Sequence, residues 1–266
     1  MDGTLALIGT GQLGGALLRG LTRSGTVRPD QVIATDPRDE VLGSLADELG
    51  VRTSTDNRAA VSEADVVVLA VKPQVLPAVL PDLAGLRAGA VVVSLAAGVT
   101  LATLEGGLPE GTPVVRVMSN TPVQVDRAMS VVAAGGHADD AQLALTEELL
   151  RPVGAVLRLD ERHLDAVTAL SGSGPAYVFL FAEAMIDAGV LLGLPREVST
   201  QLVTQTLLGA STLLDASDET PATLRGAVTS PGGTTAAALH VLEQRGVRAA
   251  VLDAVEAAAT RSRELG

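Results

Sequence analysis

Short apolar runs alternate with longer amphipathic ones through the first part of the chain. Thr4–Ile8 is apolar and has strand length. Residues 13–24 read as a helix ending near Gly25, Gln31–Thr35 as a strand, and Asp39–Leu49 as a helix stopped by Gly50. Val66–Val71, Ala90–Leu95 and Val114–Met118 are three further uninterrupted apolar runs. Strands that are apolar throughout, rather than at every second residue, belong to a parallel sheet covered on both faces. Their alternation with helices predicts a doubly wound α/β fold.

Around Leu159–Arg162 the strand pattern stops and helical segments take over. Ser171-Gly172-Ser173-Gly174-Pro175 reads as a break with a proline in the first turn of the next helix. Pro175–Leu192 is apolar nearly all round, and a second helix runs from Pro195 to about Ala216. A short segment covers Pro221–Val228, another helix reaches about Arg245, and a last one spans Val247–Arg263. The expected organisation is a nucleotide-binding domain over residues 1–160 and an all-α domain over 161–266. Helices apolar on most sides must be buried on most sides. Just over a hundred residues can hardly do that alone, so a dimer with interleaved helices is the economical expectation.

The turns after the strands carry the candidate chemistry. Gly9-Thr10-Gly11-Gln12-Leu13-Gly14 follows the first strand and opens the first helix. The spacing alone is weak, and a glycine-rich turn in an unrelated α/β protein is the bland alternative. Strand before and helix after favour dinucleotide binding: Gly9 for the tight turn, Gly11 for approach of a pyrophosphate, Gly14 for close helix–strand packing. Asp36, at the end of the second strand, suits a ribose 2′-hydroxyl and NAD. Arg38, two residues on, suits a 2′-phosphate and NADP. Thr35 and Asn57 can add hydrogen bonds. Lys72 is the only lysine in the chain and sits at the C-terminal end of a strand, where ligands bind in such sheets.

In the second half, Ser230-Pro231-Gly232-Gly233-Thr234-Thr235 opens a helix with no carboxylate, cysteine or lysine. If the helix begins at Pro231, the N–H groups of its first turn form an anion site suited to a small carboxylate. A plain Ser-Pro capped helix is the alternative. Such a stretch is sufficient for hydride transfer to a C=N bond. There the cofactor carries the hard chemistry, a carboxylate must be held, and the nitrogen needs only a hydroxyl as hydrogen-bond partner.

Composition removes other classes. The net charge of −12 argues against nucleic acid and anionic membranes. Cysteine is absent, and His137, His163 and His240 are too scattered for a His-rich metal site. The uncharged runs Ala166–Ala182 and Val198–Leu214 fall short of ~20 predominantly apolar residues and read as buried helices. No basic n-region marks a secretory signal, so the expected setting is the cytoplasm.

Taken in order, LIGTGQLGGAL, LAVKPQ, SLAAGVTL, RVMSNTPV, LSGSGPAYVF, VTSPGGTT and the tail AVEAAATRSREL resemble the pyrroline-5-carboxylate reductase family over nearly the whole chain. The resemblance implies a Rossmann-type domain followed by a helical dimerisation domain, and reduction of Δ1-pyrroline-5-carboxylate to L-proline, usually with NADPH. By motif, Ile8, Gly9, Thr10, Gly11, Gln12 and Leu13 would hold the pyrophosphate, and Asn57 would lie by the adenosine ribose. Ala70, Val71, Lys72 and Pro73, with Ala96, Ala97 and Gly98, would flank the nicotinamide half. Ser230, Gly232, Gly233 and Thr234 would bind the substrate carboxylate, and Thr235 would face the ring nitrogen. The family's assembly is a dimer, often built into a decamer ring. The chain departs from the family pattern at Ser119, at Asp126-Arg127 and at Asp36-Pro37-Arg38, and the last leaves NADP and NAD both open.

Three rivals compete. A β-hydroxyacid dehydrogenase or ketopantoate-type reductase resembles its relatives in using a second-domain lysine, and no lysine follows Lys72. A reductase of bulkier imines has no need of the Pro231-Gly232-Gly233 turn. A nucleotide sensor would bind the dinucleotide and turn over no imine.

Overall fold

The computed structural model describes Met1 and residues 3–265. Its eight strands are β1 (Leu5–Ile8), β2 (Val32–Thr35), β3 (Arg52–Ser54), β4 (Val66–Leu69), β5 (Val91–Ser94), β6 (Val114–Met118), β7 (Ala128–Ala134) and β8 (Gly154–Arg158). Among them run helices α1 (Gln12–Ser24), α2 (Asp39–Leu49), α3 (Asn57–Glu63), α4 (Leu76–Val79), α5 (Leu101–Gly106) and α6 (Asp140–Leu150). Then follow α7 (Leu164–Val167), α8 (Gly174–Leu191), α9 (Arg196–Asp215), α10 (Pro221–Ala227), α11 (Thr234–Gln244) and α12 (Val247–Leu265).

The strands form one sheet in the order β3-β2-β1-β4-β5-β6-β7-β8. All neighbours are parallel except β6 and β7, which pair antiparallel with Val117 opposite Val132. Successive residues of a strand point to opposite faces, and the core divides accordingly. Leu5, Leu7, Val66, Val68, Val91 and Val93 pack on one side. Ala6, Ile8, Val67, Leu69 and Val92 pack on the other. Both faces are covered, which is why these strands are apolar at every position.

Contacts divide the chain into a sheet unit, residues 1–173 with 258–266, and a helical unit, 174–257. The contact boundary falls later than residue 160, where the hydropathy pattern changes. The residues just beyond 160 are helical yet pack on the sheet: Leu164 and Ala169 are fully buried, and Leu164 joins one of the two core clusters. The end of α12 also returns to the sheet unit, where the Ser262 hydroxyl donates to Asp165 Oδ1 at 2.7 Å.

In the helical unit α8 and α9 pack on each other, and Ser199 and Val203 of α9 are buried. Much apolar surface stays open. Phe179 is 67% exposed, Leu180 65%, Leu191 88% and Leu252 66%. A single chain therefore leaves uncovered the helices expected to be buried. The stretch Glu161–Leu191 is also long and apolar enough, by length and composition, to cross a membrane. It is longer than the sequence segments suggest, because helical structure continues through Thr168–Gly172 as a π-turn into α8.

Candidate active site

The sheet order reverses between β1 and β4, and in open α/β sheets that crevice, at the carboxyl ends of the strands, is where ligands bind. Gly9 leaves β1 with φ +94° and donates its N–H to the Thr35 carbonyl at 2.8 Å. A Cβ at Gly9 would stand 2.9 Å from the Ala70 carbonyl oxygen, so the ends of β1 and β4 are in close contact. At Gly14 a Cβ would lie 2.1 Å from the Gly9 carbonyl oxygen, which is the close packing expected of the last motif glycine. Gly11 differs: a Cβ there meets nothing within 4 Å. Gly11 is the N-cap of α1 and supplies no side-chain cap, so the first-turn N–H groups are left for a ligand. Open space above Gly11 and uncapped amides beneath it fit a pyrophosphate.

The other expected cofactor residues of the sheet unit lie along the same edge. Asp36 and Arg38 follow β2, Ala70, Val71, Lys72 and Pro73 follow β4, and Ala96, Ala97 and Gly98 follow β5. The apolar run Val66–Val71 ends as a strand at Leu69, and Ala70 donates its N–H to the Ile8 carbonyl at 2.8 Å. Lys72 is exposed. Asn57 begins α3, where the Asp56 side chain caps the N–H groups of Arg58 and Ala59. Thr35 enters the site only indirectly. It is buried, and its hydroxyl donates to Asn57 Oδ1 at 2.7 Å, while Asn57 Nδ2 donates to Asp82 at 3.0 Å. Thr35 thus orients Asn57 and has no proton left to offer a ligand.

Asp36 is 6% exposed and its carboxylate is fully occupied. Oδ2 accepts from the Thr10 N–H at 3.1 Å, the Thr10 hydroxyl at 3.0 Å and Arg38 NH2 at 2.9 Å. Oδ1 accepts from Arg38 Nε at 2.7 Å and the Arg38 N–H at 3.2 Å. The Arg38 guanidinium is the main cause that brings this carboxyl from the ordinary 3.8 down to about 2, against the opposing effect of burial, and the Thr10 and Arg38 N–H groups add to it. A carboxyl lowered by folding stabilises fully above its unfolded value, and that stabilisation is lost as pH falls toward the folded value. The Asp36 contribution should therefore fade as pH falls from 3.8 toward about 2. Asp36→Asn should flatten this acid limb in urea-melt midpoints taken down through that range. Equal slopes in variant and wild type would count against the ion pair.

In the helical unit the stretch 230–235 is folded differently from a helix begun at Pro231. Gly233 donates its N–H to the Ser230 carbonyl at 3.0 Å, closing a turn with Pro231 and Gly232 at its centre. Gly232 has φ +67°, which no helix accommodates, so α11 starts at Thr234. Proline followed by a positive-φ glycine is the signature of a type II turn. Gly233 caps α11 without a side chain, so the first-turn amides of Thr234 and Thr235 remain uncapped. Ser230 packs its Oγ where a Cβ of Gly233 would fall. The helix start that the sequence suggests is thus present, but shifted three residues along the chain, from Pro231 to Thr234.

Asn120 has no role in the sequence reading but has one in the structure. It follows β6, donates Nδ2 to the Ser171 carbonyl at 3.0 Å and accepts from the Met129 N–H at 2.9 Å. It thereby ties the end of β6 to the π-turn before α8. Its position after a strand and two residues before Pro122 was the available signal.

Comparison with known proteins agrees with this layout. Residues 161–265 match the family model for pyrroline-5-carboxylate reductase dimerisation. Residues 4–98 match that described as NADP oxidoreductase coenzyme F420-dependent. The pyrroline-5-carboxylate reductase of Corynebacterium melassecola is 45% identical over 267 residues, covering 99% of this chain and 98% of that one. The pyrroline-5-carboxylate reductase structure from Coxiella burnetii superposes with a TM-score of 0.93 at 37% identity, over 100% of this chain and 99% of that one. That of the Plasmodium falciparum enzyme with NADP bound gives 0.89 at 30% identity, over 100% and 98%. With a nucleotide-binding sheet, a helical dimerisation region and full-length relatives in agreement, the chain belongs to the pyrroline-5-carboxylate reductase family.

Proposed function

We propose that the protein reduces the C=N bond of Δ1-pyrroline-5-carboxylate, giving L-proline, with NADPH as hydride donor. Family membership over the full length of the chain carries this reading. The nicotinamide, when bound, supplies the hydride to the imine carbon. The sheet unit holds the cofactor: Ile8–Leu13 at the pyrophosphate, with Gly14 seating the helix behind it, and Asn57 and Arg38 at the adenosine ribose and its phosphate. The strand ends Ala70–Pro73 and Ala96–Gly98 flank the nicotinamide, and Lys72 lends a positive charge there. The helical unit holds the substrate: Ser230, Gly232, Gly233 and Thr234 bind its carboxylate, and the Thr235 hydroxyl hydrogen-bonds the ring nitrogen. A cyclic imine is basic enough to take its proton from water, so a hydroxyl is sufficient and no strong protein acid is needed.

The open apolar faces of α8, α9, α11 and α12 support a homodimer built through the helical units, and further assembly into a decamer ring is the arrangement the resemblance implies. On this reading the apolar face of α8, the exposed part of Glu161–Leu191, meets a second subunit and not lipid, and the enzyme works in the cytoplasm on a small soluble substrate.

The direct test is loss of reduced-nicotinamide absorbance with NADPH, and separately NADH, with and without pyrroline-5-carboxylate. Rapid substrate-dependent oxidation supports the reading, and its absence in a protein that binds cofactor sinks it. In the same assay Thr235→Ala should lower turnover roughly 10- to 100-fold, the worth of one hydrogen bond to a charged group. Cofactor affinity should stay within about twofold. Lost NADPH binding instead would move Thr235 to the wrong site.

A further inference from the structure

The Asp36–Arg38 pair joins two features that favour opposite cofactors. An acid just past the second strand is the group that accepts a ribose 2′-hydroxyl and selects the unphosphorylated dinucleotide. An arginine beside it is the group that clasps a 2′-phosphate. Here both are present and bonded to each other.

We propose that Asp36 is a ribose-binding acid kept covered by Arg38, so that Arg38 alone sets the preference for NADPH and its removal turns the same site toward NADH. The inference rests on the reading of the glycine loop as a dinucleotide site. Its support lies in how the two carboxylate oxygens are shared. Oδ2 is anchored by the N–H and hydroxyl of Thr10, inside the glycine loop. That anchor does not involve Arg38, so the carboxylate keeps its aim without it. Oδ1 is bonded only by Arg38, through Nε at 2.7 Å and the backbone N–H at 3.2 Å. Removing the guanidinium uncovers Oδ1 and leaves it one weak partner.

The guanidinium itself is well placed for a second anion. The Arg38 side chain is 58% exposed. Nε and NH2 are committed to Asp36, and NH1 has no bond among the described residues. A 2′-phosphate can take NH1 while the pair stays intact. Without Arg38 the same phosphate would face a bare carboxylate, so NADPH suffers both a lost donor and a new repulsion. NADH, with a hydroxyl at that position, gains an acceptor.

The test is equilibrium binding to the full-length protein with no imine present, read from the fluorescence of the reduced nicotinamide. Arg38→Ala should weaken NADPH roughly 100-fold and tighten NADH about 3- to 10-fold. Arg38→Gln, which keeps most of the side-chain length, should change both affinities in the same directions. Asp36→Asn combined with Arg38→Ala should lose the NADH gain and recover part of the NADPH affinity. An NADH affinity that is unchanged or weaker in Arg38→Ala overturns the proposal, as does an NADH gain that survives in the double variant. Wild-type protein that binds neither cofactor overturns the dinucleotide reading on which the proposal stands.

Discussion

Gly11→Val should abolish cofactor binding and leave the fold intact. The two halves of that expectation have separate physical grounds. Gly11 adopts φ −65° and ψ −165°, an extended conformation open to any residue, and a Cβ there touches nothing within 4 Å. The Cβ is thus accepted without a clash, and the loss of a glycine N-cap should lower the melting temperature by no more than about 4 °C. The space it fills is that above the uncapped first turn of α1, where the pyrophosphate has to reach the backbone amides. Affinity for NADPH should fall at least about 100-fold, since several charge-assisted hydrogen bonds are lost together. Fluorescence titration beside a thermal melt reads both quantities. Normal affinity in this variant would remove the phosphate from Gly11, and an unfolded variant would contradict the open space around it.

Three residues on, the same class of substitution should do the opposite. Gly14→Ala adds a single methyl whose carbon would stand 2.1 Å from the Gly9 carbonyl oxygen and 2.9 Å from Ala70 Cβ. The first obstacle is backbone and cannot rotate aside. Relief requires α1 to move off β1, at the centre of the sheet, where Leu17, Leu18 and Leu21 of the helix are buried. Overpacking of this kind should destabilise by about 3 kcal/mol or more, which lowers the melting point by roughly 10 °C in a chain of this size. A melt within about 2 °C of wild type would mean that α1 shifts freely, and would undo the account of the third glycine as a packing residue. Together the pair of variants separates the loop's two duties, ligand approach and helix seating.

What could be read beforehand depended on how strongly each element marks its own residues. Strands buried on both faces are apolar at every position, so β1, β2, β4, β5 and β6 stood out. β3 did not: Arg52, Thr53 and Ser54 form a sheet edge, are partly or fully exposed, and carry no hydrophobic signal. α3 lay hidden in a polar stretch, although Asp56 was a recognisable N-cap. The antiparallel β7 escaped too, and chain length held the clue. Only residues 119–127 separate it from β6, and a parallel neighbour needs a crossover of a dozen or more.

In the loop, Gly9 and Gly14 were legible because a positive φ at one and close helix–strand packing at the other demand them. The capture of Asp36 by Thr10 and Arg38 was not, since a sequence shows which charges are near in order but not which oxygens they share. The start of α11 was misplaced because Pro231 suits both a helix's first turn and the second position of a β-turn. The following glycine, with φ +67°, decides between them. In the helical unit the apolar pattern was plain, but what covers it lies outside one chain.

Lys72 has a practical consequence. It is the only lysine, it is exposed, and it stands beside Ala70 and Val71 at the end of β4, next to the glycine loop. Acylating reagents therefore have a single side-chain amine to modify, and it is at the cofactor edge of the sheet. A chromophore attached to Lys72 therefore sits at one defined place, at the carboxyl ends of the strands, where a change in its signal on adding NADPH would report the nucleotide's arrival.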